Sequence, residues 1–132
     1  VVKVSEPLLV SDALEVFDQL VPYVKRIQQR ASGVEPGALR ILVADGCVTL
    51  HSVGDDGYMI ASWEKDEMFV ICAGTFDLYC SNFSAHISAA ADYAKQHNCS
   101  KLSFRSGRLA WRKVALANGF TKVNDYFTKE LL

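Results

Sequence analysis

No stretch of this sequence is long and apolar enough to cross a bilayer. A spanning helix needs about 18 consecutive apolar residues, and the longest uninterrupted run, residues 68–74, is far shorter. Proline and glycine are sparse, 3 and 8 residues in 132, which excludes collagen-like and linker-like chains. Cysteine occurs at Cys47, Cys72, Cys80 and Cys99, with no Cys-x-x-Cys pair and no zinc-like spacing. His86 and His97 stand eleven positions apart on one expected helix, roughly 16 Å at 1.5 Å per residue. They cannot share a metal, and His51 reads as isolated on a strand, so no metal site is expected. Gly-x-Ser-x-Gly is missing and no cysteine sits in a histidine-paired motif, which leaves nucleophilic catalysis without a carrier. The N-terminus, Val1-Val2-Lys3-Val4, lacks the basic-then-apolar layout of a secretory leader. Together with the scattered thiols this points to a reduced, cytoplasmic setting.

Acid is also missing over part of the chain. Residues 93–124 contain none, but carry seven bases: Lys95, Lys101, Arg105, Arg108, Arg112, Lys113 and Lys122. The remainder holds 7 bases against 15 acids, a formal charge of 7 − 15 = −8, so the net charge of −1 is +7 plus −8. Asp55, Asp56, Glu64, Asp66 and Glu67 supply much of the negative part. Such asymmetry steers an anionic ligand to one surface and also suits pairing between two copies. A pI near 6.3 and the absence of helix-turn-helix spacing argue against nucleic acid as the partner.

What is present suits a packed core. Half of the residues are hydrophobic and 22% are charged, a composition able to offset the entropy of ordering the chain. The length fits one domain, residues 1–132. Residues 1–4 are β-prone. Asp12 with Glu15 forms a capping-box signature, and Leu14, Phe17, Val21, Val24 and Ile27 recur at helical spacing, with a kink or break expected at Pro22. Gly33 closes that helix, and Pro36 opens a second one running to about Ala44. Residues 47–53, 58–63 and 68–73 read as three antiparallel strands, the last apolar on both faces and so central. Ser81 or Asn82 caps a helix with a stripe of Phe83, Ile87, Ala90, Ala91 and Ala94, closed by Asn98. A strand over 101–105, a helix over 107–118 stopped by Gly119, and one bent strand or a strand pair over 121–131 complete the chain. The expected class is mixed α/β, a central and mostly antiparallel sheet flanked by helices.

That order, with Lys101-Leu-Ser-Phe-Arg-Ser-Gly-Arg-Leu-Ala-Trp-Arg, then Ala117-Asn-Gly-Phe and Tyr126-Phe-Thr-Lys-Glu-Leu131, resembles the GNAT acyltransferase superfamily. The Gly-Arg-x-x-Trp form of the helix resembles small GNAT-like proteins carried by phages and prophages. The resemblance implies a sheet that opens between the strand over 68–74 and the strand over 101–105. Acetyl-coenzyme A would lie there, its amides paired with Ile71, Cys72 and Ala73. Its phosphates would meet Ser81 and Asn82 at a helix start, and Arg105, Arg108 and Arg112. Glu64 and Glu67 are the candidate bases for acetyl transfer to an amine, the competing reading being exposed hairpin charge.

The sequence departs from the family pattern at named positions. The segment Thr75-Phe-Asp-Leu-Tyr-Cys-Ser-Asn-Phe-Ser-Ala holds none of the glycines that let backbone approach a pyrophosphate, and Asp77 adds a repelling charge. Ala115 stands where many members place a general-acid Tyr, and Arg108 stands near a common Asn. Two functions therefore stay open. One is acetyl transfer; the other is a non-catalytic binding or assembly role, in a phage-infected host or with the phage particle.

Overall fold

The computed structural model describes residues 2–30, 35–75, 83–105, 109–124 and 126–131. Helix α1, Val10–Arg30, buries Ala13, Phe17, Leu20 and Val24, spaced by four, three and four residues along one face. The buried stripe is thus rotated from the expected one: Leu14 and Val21 lie half-buried at its flanks. The helix begins before the expected cap, with Ala13 N–H donating to Leu9 C=O at 2.7 Å, so Asp12 lies within the first turn. There its charge favours the helix dipole. Pro22 does not break α1. It removes the donor to the Asp18 carbonyl, but Asp18 and Pro22 are both exposed and water can serve that oxygen.

Helix α2, Pro36–Ala44, starts as expected from its proline. Glu35 caps it, accepting from Ala38 N–H at 2.7 Å and Gly37 N–H at 3.0 Å. Those bonds hold its carboxyl below the usual range. Arg40 reaches back to Asp18 with two bonds, 2.9 and 3.2 Å, joining α2 to α1.

Among the described residues six strands form one sheet: β1 Thr49–Val53, β2 Gly57–Glu64, β3 Glu67–Thr75, β4 Lys101–Arg105, β5 Thr121–Val123 and β6 Tyr126–Glu130. Their spatial order is β1-β2-β3-β4-β6-β5. The first three are antiparallel, whereas β3 and β4 are parallel, so a crossover is needed between them. Helix α3, Phe83–Gln96, supplies it, and Asn98 ends that helix with a φ of 63°. The C-terminal segment is a strand pair rather than one strand, turning at Asn124 with a φ of 58°. Its second strand, β6, inserts beside β4.

Residues 2–4 do not add a strand to the sheet. Among the described residues only Val4 bridges to Val53, while Ser5, Leu8 and Gly54 amides bond across to Ser52, Leu50 and Lys3 carbonyls at 2.8–2.9 Å. This short strap occupies the edge of β1, which would otherwise expose unpaired donors.

The two faces carry separate cores. One joins α1 and α2 to Leu50, Tyr58, Ile60 and Cys72. The other joins α3 and α4, Leu109–Ala117, to Met59, Met68, Leu102, Phe120 and Phe127. Gly119, at a φ of 87°, ends α4 and lets Phe120 N–H donate to Ala115 C=O at 3.0 Å, folding the Phe120 ring back as expected.

Candidate functional site

Strands β3 and β4 part company midway. Their parallel register runs from Glu67–Lys101 to Val70–Phe104 and stops there. Strand β3 continues to Thr75, still paired on its other side with β2. The parting coincides with a bulge: Ile60 faces Cys72 while Ala61 faces Val70, leaving Ile71 as the extra residue. A bulge bends its strand and increases local twist. Beyond it, residues 71–75 have no ladder partner in β4. Peptide N–H and C=O groups on that side can meet an extended, amide-bearing ligand.

The expected ligand-contacting residues lie around this fork in different ways. Ile71 and Ala73 are half-buried at the opened segment. Cys72 is buried toward α1, its thiol 3.9 Å from the Tyr58 hydroxyl and pushed up to about 12 by burial, so it is inert at neutral pH. Arg105 ends β4 in register with Tyr126, one residue past the last β3–β4 pair. Arg112 is exposed on α4, which packs on the opposite face. Ser81, Asn82 and Arg108 lie outside the described residues, as do Asp77, Phe76 and Tyr79. Glu64 and Glu67 face each other at the β2–β3 turn. Glu67 lies three residues below Val70, about 10 Å along the strand.

Register shows a surface that no local pattern revealed. On the α1 side of the sheet, one cross-strand row holds Glu64, Glu67, Lys101 and Glu130, and the next holds Ser62, Phe69, Ser103 and Thr128. Above them come Arg105, Tyr126 and Val123. The Phe69 and Tyr126 rings stack across β4, centroids 5.5 Å apart and 29° between planes. Beneath them Ser103 is fully buried, its hydroxyl 3.2 Å from that of Thr128. Tyr126 remains 40% exposed and Val123 66%. Burial raises the Tyr126 phenol above its ordinary value; Glu67 and Glu64 raise it further, and Arg105 opposes them. The α1–α2 core takes no member from β4, β5 or β6. Helices therefore cover only the β1–β2–β3 half of this face among the described residues.

The architecture as a whole has counterparts among solved structures. An N-acetyltransferase from Staphylococcus aureus superposes with a TM-score of 0.70 at 12% identity, over 99% of this chain and 98% of that one. An acetyltransferase of the GNAT family from Listeria monocytogenes gives 0.62 at 14% identity, over 99% and 94%. The PaiA N-acetyltransferase of Thermoplasma acidophilum, solved with coenzyme A, gives 0.61 at 9%, over 98% and 99%. This chain has the GNAT fold. No protein-family model matches the sequence, and no curated protein matches it either. At these identities the likeness establishes architecture, and function must come from the site.

Ala115 is the position at which the sequence resemblance implies a Tyr in many members. It is fully buried among the α3–α4 core residues. Among the described residues no group of three or more His, Cys, Asp or Glu could hold a metal, and no helix is long and apolar enough to cross a membrane.

His51 is not isolated, in contrast to the expectation. It is fully buried, with Nδ1 2.8 Å from the Ser5 carbonyl and Nε2 2.7 Å from Thr49 Oγ1. A carbonyl only accepts, so Nδ1 carries the proton and Nε2 accepts from the Thr49 hydroxyl. Thr49 Oγ1 in turn accepts from Trp63 Nε1–H at 2.8 Å. The Tyr93 ring lies 5.1 Å from His51 and 4.3 Å from His97. The Tyr93 hydroxyl donates to Glu6 at 3.3 Å. Burial pushes His51 below its ordinary value of 6.5, and the Ser5 bond and Glu6 only partly counter it. This cluster ties the N-terminal strap to the body of the sheet.

Proposed function

We propose that this chain binds acetyl-coenzyme A at the β3–β4 fork and transfers the acetyl group to an amine. The parting of β3 from β4 after Val70 carries this reading. Residues 71–74, still paired with β2 where they are paired at all but no longer with β4, offer backbone groups on that side to the amides of the pantetheine arm. The phosphate end is assigned to Arg105 and Arg112, together with Arg108 and the helix start at Ser81 and Asn82.

Transfer requires the amine nitrogen to form a bond to the acetyl carbonyl carbon while the carbon–sulfur bond breaks. The proton lost by nitrogen passes to a carboxylate, for which Glu64 and Glu67 are the residues on the acceptor face, through intervening water given their distance from the fork. The departing thiolate takes a proton from Tyr126, the phenol in register with Arg105, one residue past the last β3–β4 pair. A phenol is protonated at neutral pH without any shift, so the proton is available there.

A second reading, in which the fold binds a partner without catalysis, rests on Ala115 being sealed in the core and on the absence of glycine from residues 75–85. The phage-associated role belongs to this reading. The opposite charges of residues 93–124 and of the remainder favour a homodimer in either case, measurable as a salt-sensitive mass by light scattering.

Calorimetric titration with acetyl-coenzyme A to millimolar concentration, followed by thiol release with an amine panel, separates the two. Saturable binding with thiol release supports transfer. Binding without thiol release supports the non-catalytic reading, and a flat titration removes the fork as a coenzyme site.

A further inference from the structure

We infer that Phe104 sets the acyl length this fork accepts, as a fixed aromatic floor that admits a short acyl chain and turns away a long one. This rests on the proposed coenzyme site and names the acyl class it takes. Val70 and Phe104 form the last pair of the β3–β4 ladder. Their side chains lie on the α3–α4 face, as do those of Met68 and Leu102 two residues earlier. Met68 and Leu102 are buried, whereas Val70, Phe104 and, farther along β3, Ala73 are only half-buried. Along these two strands, accessible apolar surface therefore begins on this face where the ladder ends. Val114 of α4, also half-buried, packs against the same core.

With the phosphates near the start of α3 and the pantetheine arm along residues 71–74, the thioester end falls at the Val70–Phe104 pair. An acyl chain running on from the thioester, toward the paired part of the ladder, meets the Phe104 ring. That ring is held on two sides. It stacks on Phe127, centroids 5.0 Å apart and 14° between planes, and meets Phe120 edge-on at 5.2 Å and 67°. Phe127 is fully buried, and Phe120 is buried with its amide tied to the Ala115 carbonyl at 3.0 Å. Across the fork from Phe104, Val70 is β-branched and stiff. A ring backed by a close-packed interior yields little, so added methylenes meet a wall rather than space. An open apolar slot would act in the opposite way, each methylene withdrawn from water tightening binding about fourfold.

The test titrates the full chain with coenzyme A and with its acetyl, butyryl and octanoyl thioesters by calorimetry, so the readout does not depend on turnover. Acetyl-coenzyme A is expected to bind at least about tenfold more tightly than octanoyl-coenzyme A, the reverse of the order that methylene burial alone would set. Butyryl-coenzyme A should fall between them. Phe104→Leu shortens the floor while keeping an apolar side chain in the core, and should narrow or reverse the acetyl-to-octanoyl ratio with acetyl affinity little changed. Val70→Ala widens the slot from the facing strand and should move the ratio the same way, so the test does not hang on one variant. Urea unfolding of each variant checks that the fold is kept. Octanoyl binding as tight as acetyl binding in the native chain, or a ratio unmoved by both substitutions in folded chains, overturns the role of Phe104 and leaves the coenzyme site standing. A chain that binds neither coenzyme A nor any of its thioesters removes the coenzyme site, and the acyl floor with it.

Discussion

Replacing Thr49 by Val removes one oxygen and keeps the side-chain shape, so the consequence is almost purely one of hydrogen bonding. The hydroxyl serves two rings, donating to His51 Nε2 at 2.7 Å and accepting from Trp63 Nε1–H at 2.8 Å. His51 is fully buried, and its abandoned acceptor would cost about 1–3 kcal/mol. Trp63 is half-buried, so water can recover part of the second loss. The expected total is about 2–4 kcal/mol, a large share of the ~5–15 kcal/mol typical of a domain. Urea unfolding should show the midpoint falling by roughly 1–2 M at unchanged slope. Thr49→Ser keeps the hydroxyl and should lose less than about 1 kcal/mol. A loss under about 0.5 kcal/mol for Thr49→Val would refute the chain of donors. Acid should act on the same residue. The folded-state value of His51 lies below its unfolded value near 6.5, so the unfolded chain binds the extra proton. The contribution of neutral His51 is complete above that value and is lost as pH falls below it. The amides of Ser5 and Leu8 should then lose protection from hydrogen exchange first, because the His51 contact holds their strap.

Two further substitutions probe the frame around the fork. A Cβ at Gly57 would meet the Val53 carbonyl oxygen at 2.6 Å and His86 Cε1 at 2.9 Å, so Gly57→Ala should destabilise by at least about 2 kcal/mol in urea unfolding. His86→Ala should rescue it only in part, since the backbone clash remains. Ala115→Tyr places the family's residue type at its expected position, but that position is sealed in the core. It should cost about 1–3 kcal/mol or more and add no thiol-release activity; a gain in activity without loss of stability would contradict the packing described.

Much of the frame was legible because it is written locally. Pro36, Asn98 and Gly119 mark ends that depend on backbone conformation alone, and the alternation over residues 58–63 depends on neighbours in the chain. Pro22 misled because the fate of its lost hydrogen bond depends on whether the Asp18 carbonyl faces water, which sequence does not state. His51 seemed alone for a similar reason: its partners come from Ser5, Thr49 and Tyr93, on three separate elements. The Phe69–Tyr126 surface was invisible altogether. Phe69 and Tyr126 stand 57 positions apart and meet only because β6 inserts beside β4, which turns a terminal tyrosine toward a central strand. Glu64 and Glu67 could be nominated from the hairpin, but their distance from the fork needed the β3–β4 register.

The proposed coenzyme site depends on the opened edge of β3, and backbone amides report on it directly. With coenzyme A added to millimolar concentration, the amides of Ile71, Cys72, Ala73 and Gly74 should show the largest shifts and the largest gain in exchange protection, while Glu67 and Met68, already paired with β4, change little. Saturating shifts confined to the basic side chains of residues 93–124, with residues 71–74 unmoved, would contradict the fork as the binding site.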